Sequence, residues 1–284
     1  MTGAFLKNKI QSVLDDFENE KWCDLNVAGF NSDNYSIKTQ QQKYILKYYA
    51  AYFCELYEMY GKFFNDFKGE SVNILSIGCG SGVDCEALNR VCIDKNITIR
   101  KNYRGVDLVD WYYRPMYEWA SFDTMCASKL NSNDVENIDL FVFPKSLTEL
   151  TMEVCENIAN ALVDGSKKSV VYFINTYVTN DPSDSRCVDG LSQFGKINST
   201  LTKNKLWKCI GNASEYYYKR NGGWLGYNYS FFELPDDLVL FVSELKDSCN
   251  NHNNSPTCKI CEINFFPILN SKYLAFNLIK YEKE

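Results

Sequence analysis

Asn73-Ile-Leu-Ser-Ile-Gly-Cys-Gly-Ser-Gly-Val-Asp84 joins a short apolar run to three closely spaced glycines, and the helical pattern Asp84-Cys-Glu-Ala-Leu-Asn-Arg90 follows directly. Glycines allow the backbone to turn sharply, and without a Cβ they let a ligand approach the main chain. The helix beyond them has unpaired N–H groups at its start, which favour an anionic part of a ligand. This segment therefore predicts a strand, a ligand-binding loop and a helix, in that order.

The spacing of the glycines excludes two other kinds of nucleotide site. Gly78, Gly80 and Gly82 form the pattern G-x-G-x-G. A dinucleotide fingerprint requires G-x-G-x-x-G, and Val83 stands where its third glycine belongs. A P-loop requires Gly-Lys-Ser or Gly-Lys-Thr at the end of the loop, and neither follows here.

A carboxylate follows the glycines at a spacing that suits an adenosine ligand. The next apolar run ends in Gly105-Val-Asp107, and Asp107 lies 25 residues after Gly82. A carboxylate at the tip of the second strand accepts hydrogen bonds from both ribose hydroxyls of such a ligand. The alternative is a purely structural turn with a solvated Asp107.

The rest of the chain alternates short apolar segments with helical ones. We predict helices at residues 38–67, with one wide aromatic face, and at 148–163. We interpret the first as a helix packed over a sheet in preference to a lid, because such stripes are usually core. The predicted strands are residues 72–77, 103–109, 138–143, 169–175, 238–245 and 273–281. This alternation predicts an α/β fold with a parallel sheet, closed by two antiparallel strands. No third strand is distinct between residues 122 and 137.

These motifs resemble those of the class I S-adenosylmethionine-dependent methyltransferases. Ile74-Leu-Ser-Ile-Gly-Cys-Gly-Ser-Gly82 is similar to their first motif, and Gly105-Val-Asp107 to their second. Ile138-Asp-Leu-Phe-Val-Phe-Pro144 resembles their fourth strand and the loop that faces the methyl group. The resemblance implies S-adenosyl-L-methionine as cofactor. It also implies a Rossmann-like, seven-stranded sheet in the order 3-2-1-4-5-7-6, with the last strand antiparallel and helices on both faces.

The resemblance also implies which residues hold the cofactor. They are Ile77, Gly78, Cys79, Gly80, Ser81, Gly82, Asp84, Asp107, Leu108, Phe143 and Pro144. The family often has an acidic residue where this chain has Ser76, and we hypothesise that Asp84 partly substitutes for it. Asp134 is a candidate for contacting the adenine, and Lys145 and Ser146 are placed near the methyl group as candidate substrate-binding residues.

We predict an N-terminal helical cap at residues 1–70 and a Rossmann-like methyltransferase domain at 71–284. An aromatic-rich insertion lies within that domain at about residues 176–235. Its side chains would stack on a planar or cationic acceptor, or alternatively would only pack around turns. The candidate substrate-binding residues there are Tyr216, Tyr217, Trp224 and Tyr227.

A second segment, at residues 249–261, has the spacing of a metal site. Cys249, His252, Cys258 and Cys261 form the pattern C-x2-H-x5-C-x2-C. Four such ligands suit a structural zinc ion, and the alternative is a polar hairpin loop with incidental cysteines. His252 is the single histidine, so a hydrolase mechanism that requires an imidazole could use only this residue. Direct methyl displacement requires no catalytic dyad, a general base is optional, and the sequence assigns no residue to catalysis.

Charge and cysteine content restrict the partners and the location that we expect. A net charge of −6 and a pI of about 5.1 do not favour nucleic acid as a partner. The chain lacks both a recognisable signal peptide and a membrane span, so its 12 cysteines favour a reduced, cytoplasmic protein. We therefore expect methyl transfer to a small molecule, with protein or RNA as other acceptors. The alternative function is a degenerate cofactor-binding or partner subunit, and other reactions on the same cofactor also stay open.

Overall fold

The computed structural model describes residues 4–16, 35–178, 184–203, 205–213, 217–220, 223–225, 236–247 and 275–284. The helices are α1 (Ala4–Asp15), α2 (Lys38–Asp66), α3 (Val83–Asp94), α4 (Ser132–Val135), α5 (Met152–Gly165), α6 (Ser185–Lys203) and α7 (Asp236–Asp247). The strands are β1 (Ser71–Ile77), β2 (Arg100–Asp107), β3 (Ala120–Thr124), β4 (Leu140–Pro144), β5 (Val170–Thr176), β6 (Trp207–Ile210), β7 (Tyr217–Arg220), β8 (Gly223–Leu225) and β9 (Ala275–Lys283).

The sheet confirms the predicted Rossmann-like order. Strands β3-β2-β1-β4-β5 are parallel neighbours, and β9 is antiparallel to β5. On the far side of β9 lie β6 and β7, each antiparallel to it, and β8 extends the sheet beyond β7. Strand β9 thus takes the seventh place of the predicted order, and β6 with β7 takes the sixth.

Burial explains which strands were visible in the sequence. All five residues of β4 are buried, as expected for a parallel strand covered on both faces, and such strands have continuous apolar sequences. In contrast, β3 is the edge strand of the sheet, and none of its five residues is buried. An edge strand with no buried residue does not require a continuous apolar sequence. The third strand, Ala-Ser-Phe-Asp-Thr, therefore has no apolar pattern that identifies it as a strand.

The predicted strand at residues 238–245 is wrong, because this segment is the helix α7. Leu238 and Phe241 are buried, whereas Leu240 is 65% exposed, which is the three-residue spacing of a helix. Asp236 and Asp237 lie in the first turn, where negative charge is favourable to the helix dipole. A short apolar run does not distinguish a strand from a helix by its period.

Helices cover both faces of the parallel part of the sheet. One face packs against α5 and α6 in a core that includes Phe141, Phe143, Phe173, Ile158 and Phe194. On the opposite face, the Tyr172 ring makes an edge-to-face contact with Phe63 of α2, with ring centroids 5.1 Å apart. The Tyr172 hydroxyl donates to Asp66 at 2.7 Å.

The chain forms two compact units. The first comprises Met1–Cys54, Trp111–Tyr113 and Ser230–Ser271, and the second comprises Glu55–Asp110, Arg114–Tyr229 and Lys272–Glu284. The division into a cap at 1–70 and a domain at 71–284 stays a prediction. In the described ranges, no helix is both long and apolar enough to cross a membrane.

Contacts within the first unit are made by α1, α7 and the part of α2 before Glu55. The rings of Phe5 and Phe53 lie 5.0 Å apart, and Lys7 Nζ lies 5.0 Å from the centre of the Phe241 ring. The second unit contains the sheet, and all the contacts described below belong to it.

Candidate cofactor-binding site

The glycine loop between β1 and α3 has a backbone conformation that favours glycine. Gly78, Gly80 and Gly82 have φ values of 69°, 52° and 72°. Residues with a Cβ are strained in this left-handed region. The N–H groups of Gly78 and Cys79 donate to the carbonyl of Val106 at 2.8 and 3.2 Å, so the loop is tied to the end of β2.

Gly78 also makes a close contact with the turn after β4. A Cβ added to Gly78 would lie 2.3 Å from the Cβ of Ser146. The Ser146 hydroxyl donates to the carbonyl of Ile77, the residue before this glycine. These contacts bring the predicted cofactor loop and the predicted substrate-binding residue Ser146 together at the carboxyl edge of the sheet.

We predict that Gly78→Ala destabilises the fold by roughly 2–4 kcal/mol, from left-handed strain and the overlap with Ser146. The matched control is Gly195→Ala in α6, where an added Cβ meets no atom within 4 Å. There alanine should stabilise the helix by roughly 0.5–1 kcal/mol. Urea denaturation measures both variants, and equal stability of the two would contradict this role of Gly78.

Asp107, at the end of β2, is hydrogen-bonded to the glycine loop. Its Oδ2 accepts from the N–H of Gly80 at 2.8 Å, and its Oδ1 accepts from the N–H of Val109 at 3.0 Å. A carboxylate has about four lone-pair positions, so about two remain for two ribose hydroxyls. Among the described residues, the N–H groups of Ser81 and Val83 at the start of α3 have no partner. The residues present therefore suit a ligand with a ribose.

The other predicted cofactor residues are placed differently. Leu108 is 67% exposed beside Asp107, where it offers an apolar surface. The side chains of Ile77, Cys79 and Phe143 are buried, and so is Pro144. These four residues can meet a ligand only through their main chains. The Cys79 sulfur packs against Gly105, and a Cβ added to Gly105 would lie 2.7 Å from this sulfur.

The hypothesis that Asp84 substitutes for an acidic residue at Ser76 is not supported by its surroundings. Asp84 is fully buried, and both carboxylate oxygens accept from the Tyr103 hydroxyl, at 2.9 and 3.0 Å. The Tyr60 hydroxyl lies 3.5 Å from Oδ2. Burial raises the pKa of Asp84 to about 6, although hydrogen bonds from its neighbours oppose this shift. Ser76 is also fully buried, so neither side chain is open to a ligand.

Asp134, the candidate for contacting adenine, is engaged in two other interactions. The Arg104 guanidinium donates to its carboxylate at 2.6 Å, and the N–H of Asn131 donates to it at 2.9 Å as part of a helix capping box. The same guanidinium donates to Asp123 at 2.6 Å. Asp134 thus has a structural role in closing α4 onto the edge of the sheet.

Lys145, immediately after β4, forms a buried ion pair that the sequence analysis did not predict. Its Nζ lies 2.9 Å from Oε1 and 2.7 Å from Oε2 of Glu55 in α2, and it donates to the carbonyl of Tyr177 at 2.8 Å. Lys145 is one of three non-glycine residues with positive φ among those described, at 65°. Its N–H donates to Thr176 at 2.9 Å. One sequence signal existed, since Glu55 stands between the apolar pairs Phe53-Cys54 and Leu56-Tyr57 in the middle of the helical pattern.

Burial raises the pKa of Glu55 to about 7, although Lys145 opposes this shift. Desolvation likewise lowers the pKa of Lys145. Through the shifted Glu55, the folded protein binds more protons than the unfolded chain between pH 4.5, the ordinary pKa of a glutamate, and about pH 7. This contribution to stability is present below pH 4.5 and is lost as pH rises through about 7.

We predict that Glu55→Gln removes this loss of stability at rising pH, because glutamine does not titrate. The difference in unfolding free energy between pH 4.5 and pH 7.5 should be smaller in the variant than in the unmodified protein. Asp84 shifts in the same direction but is present in both proteins, so its contribution cancels in the comparison. Denaturant titrations at both pH values measure it, and an unchanged pH dependence would contradict the assigned shift.

Several predicted residues lie outside the described ones. These are Tyr216 and Tyr227 of the aromatic insertion and the four candidate zinc ligands Cys249, His252, Cys258 and Cys261. Tyr217 lies in β7 and Trp224 in β8, where Trp224 is paired with Lys219. Within the described part of the chain, no group of three or more histidine, cysteine or acidic residues is arranged to hold a metal. The zinc site therefore stays a prediction from residue spacing.

No family model and no curated protein matches this chain. Among solved structures, the plantazolicin methyltransferase BpumL in complex with SAH is 14% identical, with 99% of this chain and 96% of that chain covered and a TM-score of 0.44. A TehB-like SAM-dependent methyltransferase from Corynebacterium glutamicum is 11% identical, with 79% and 87% covered and a TM-score of 0.39. The CMeT domain of the citrinin polyketide synthase is 12% identical, with 54% and 47% covered and a TM-score of 0.37. The chain is similar to these proteins at low identity.

Proposed function

We propose that this chain is an S-adenosylmethionine-dependent methyltransferase that acts on a small-molecule acceptor. The observation that carries the proposal is the hydrogen bond between Asp107 and Gly80. It joins the carboxylate expected to hold a ribose to a loop whose G-x-G-x-G spacing is unsuited to a dinucleotide or a P-loop. Both lie at the carboxyl edge of a Rossmann-like sheet, where ligands of such folds bind.

The residues of this site would mainly bind and align the ligand. Asp107 would accept hydrogen bonds from the ribose hydroxyls, and the N–H groups of Ser81 and Val83 would face an anionic part of the ligand. The cofactor supplies a methyl group already activated on a sulfonium. Asp107 and the glycine loop would hold the cofactor while this methyl group is transferred to the acceptor. Alignment of this kind can lower a barrier by roughly 7–11 kcal/mol.

The small-molecule preference rests on charge. The chain has a net charge of −6, which provides no general attraction for a phosphate backbone. A nucleic-acid substrate would require a local basic face, and the lysines and arginines are dispersed along the sequence.

Calorimetric titration with S-adenosylmethionine and S-adenosylhomocysteine tests the proposal, with NAD and ATP as controls. We expect micromolar binding of the first pair only. Selective binding of NAD or ATP would reject the assigned cofactor. Absence of binding by all four ligands would favour the alternative of a degenerate partner subunit, and co-purification with a catalytic protein would then support that alternative.

A further inference from the structure

The guanidinium of Arg114 connects the two loops of the candidate cofactor site. Its Nε donates to the carbonyl of Gly80 at 3.2 Å, and its Nη2 donates to the carbonyl of Val109 at 2.8 Å. Its Nη1 donates to Asp110 at 3.1 Å. The group lies 5.1 Å from the centre of the Phe122 ring, and the Arg114 side chain is only 8% exposed. Gly80 follows β1, Val109 and Asp110 follow β2, and Phe122 is the central residue of β3.

These contacts hold Gly80 from both sides. Its N–H donates to Asp107 and its carbonyl accepts from Arg114. Asp107 in turn accepts from the N–H of Val109, whose carbonyl accepts from the same guanidinium. The four residues form a closed ring of hydrogen bonds that sets the position of the Asp107 carboxylate relative to the glycine loop.

The residue after Arg114 also contacts this loop. A Cβ added to Gly82 would lie 2.8 Å from the Cδ of Pro115. The chain therefore packs on the glycine loop through two consecutive residues.

We propose that Arg114 is a positioning residue for the adenosine part of the cofactor. This inference rests on the proposed function. Arg114 acts through Gly80 and Asp107: it fixes the peptide of the glycine and the direction of the carboxylate before the ligand arrives. Preorganisation of this kind increases affinity because the ligand does not have to order the loops. Lysine cannot reproduce the role fully, since a single ammonium cannot span three acceptors as a planar guanidinium does.

The test is a double-mutant cycle on binding, with S-adenosylhomocysteine and adenosine as the titrated probes. Arg114→Met should weaken both probes by roughly ten- to a hundredfold, the usual cost of a misplaced group. Arg114→Lys should weaken them less, and it also covers the case in which the methionine variant does not fold. In the background of Asp107→Asn, the added Arg114→Met should weaken binding by less than about threefold, because the two residues act as one unit.

Arg90→Met is the matched control. Arg90 is also paired with a carboxylate, Asp94 at 2.6 Å, but it lies towards the end of α3 away from the glycine loop. The Arg90→Met variant should bind both probes as tightly as the unmodified protein does. Denaturant unfolding of every variant separates loss of affinity from loss of fold.

Each outcome has a distinct meaning. Binding of folded Arg114→Met within about threefold of the unmodified protein would overturn the positioning role. Independent, multiplying effects of the Asp107 and Arg114 changes would overturn it too, because they would show no coupling. Equal losses in Arg90→Met would also overturn it, since the effect would be general. If the unmodified protein binds neither probe, the proposed function itself fails, and this inference fails with it.

Discussion

We expect Lys145→Met to lower the free energy of unfolding by about 3–5 kcal/mol, because it leaves Glu55 buried without its counter-charge. Glu55 is 1% and Lys145 6% exposed, so water cannot solvate the carboxylate that remains. The substitution keeps a long unbranched side chain of similar volume. Lys145 has a φ of 65°, and methionine carries a Cβ as lysine does, so backbone strain should be equal in the two proteins. Denaturant unfolding near pH 8 measures the loss.

The double variant Glu55→Met with Lys145→Met is the control for this prediction. A buried ion pair replaced as a whole by apolar side chains of similar size is often neutral or even stabilising. We therefore expect the double variant to recover most of the stability lost in the single one. If the single variant loses less than about 1 kcal/mol, the pair is not isolated from water as the structure indicates. If the double variant is as unstable as the single one, the loss comes from packing and not from charge.

We expect Asp107→Ala to weaken the binding of S-adenosylhomocysteine by about a hundredfold or more. A hydrogen bond to a charged group contributes roughly 1.5–3 kcal/mol, and each 1.4 kcal/mol is a factor of ten in affinity. The variant loses the expected partner of two ribose hydroxyls, and it also loses the acceptor that holds the N–H of Gly80. Both effects act in the same direction.

The Asp107 prediction has two controls. Asp107→Asn preserves the shape of the side chain, but its amide NH2 group would face one of the two backbone N–H groups that now donate to the carboxylate. This variant should therefore also bind S-adenosylhomocysteine weakly. Asp164→Ala removes an exposed carboxylate from α5, far along the chain from the glycine loop, and should bind normally. Calorimetry measures affinity, and unfolding curves confirm that each variant is folded. Normal affinity in folded Asp107→Ala would refute the ribose role while leaving the sheet topology untouched.

Much of the fold was predictable because its signals are local. The glycine loop, the carboxylate at Asp107 and the buried strands each lie within about ten consecutive residues. Strand β4 is identifiable from its sequence because it is buried on both faces, so that every one of its residues is apolar. Helix α2 shows the advantage of length, because 29 residues repeat the helical spacing often enough to identify it.

Where the local signal was short or weak, prediction from sequence failed. The apolar run in α7 spans a few residues only, and helix and strand patterns are alike at that length. The outer strand beside β9 was consequently sought at residues 238–245, but it comes from β6 and β7. Edge strand β3 is half-exposed and needs no apolar pattern.

The sequence by itself determined an α/β fold with a parallel sheet, the glycine loop after β1 and the spacing of Asp107 from that loop, and the strand order followed from the family resemblance. Only the tertiary structure decided how the site is held together. Glu55 and Lys145 are 90 residues apart, and they meet because the sheet order brings α2 over the end of β4. Arg114 lies in the irregular segment between β2 and β3, and it contacts Gly80, which is 34 residues earlier in the chain. The physical reason is that backbone periodicity and glycine strain act between residues that are near neighbours in the sequence. The pairing of buried charges depends instead on which distant elements meet at one edge of the sheet.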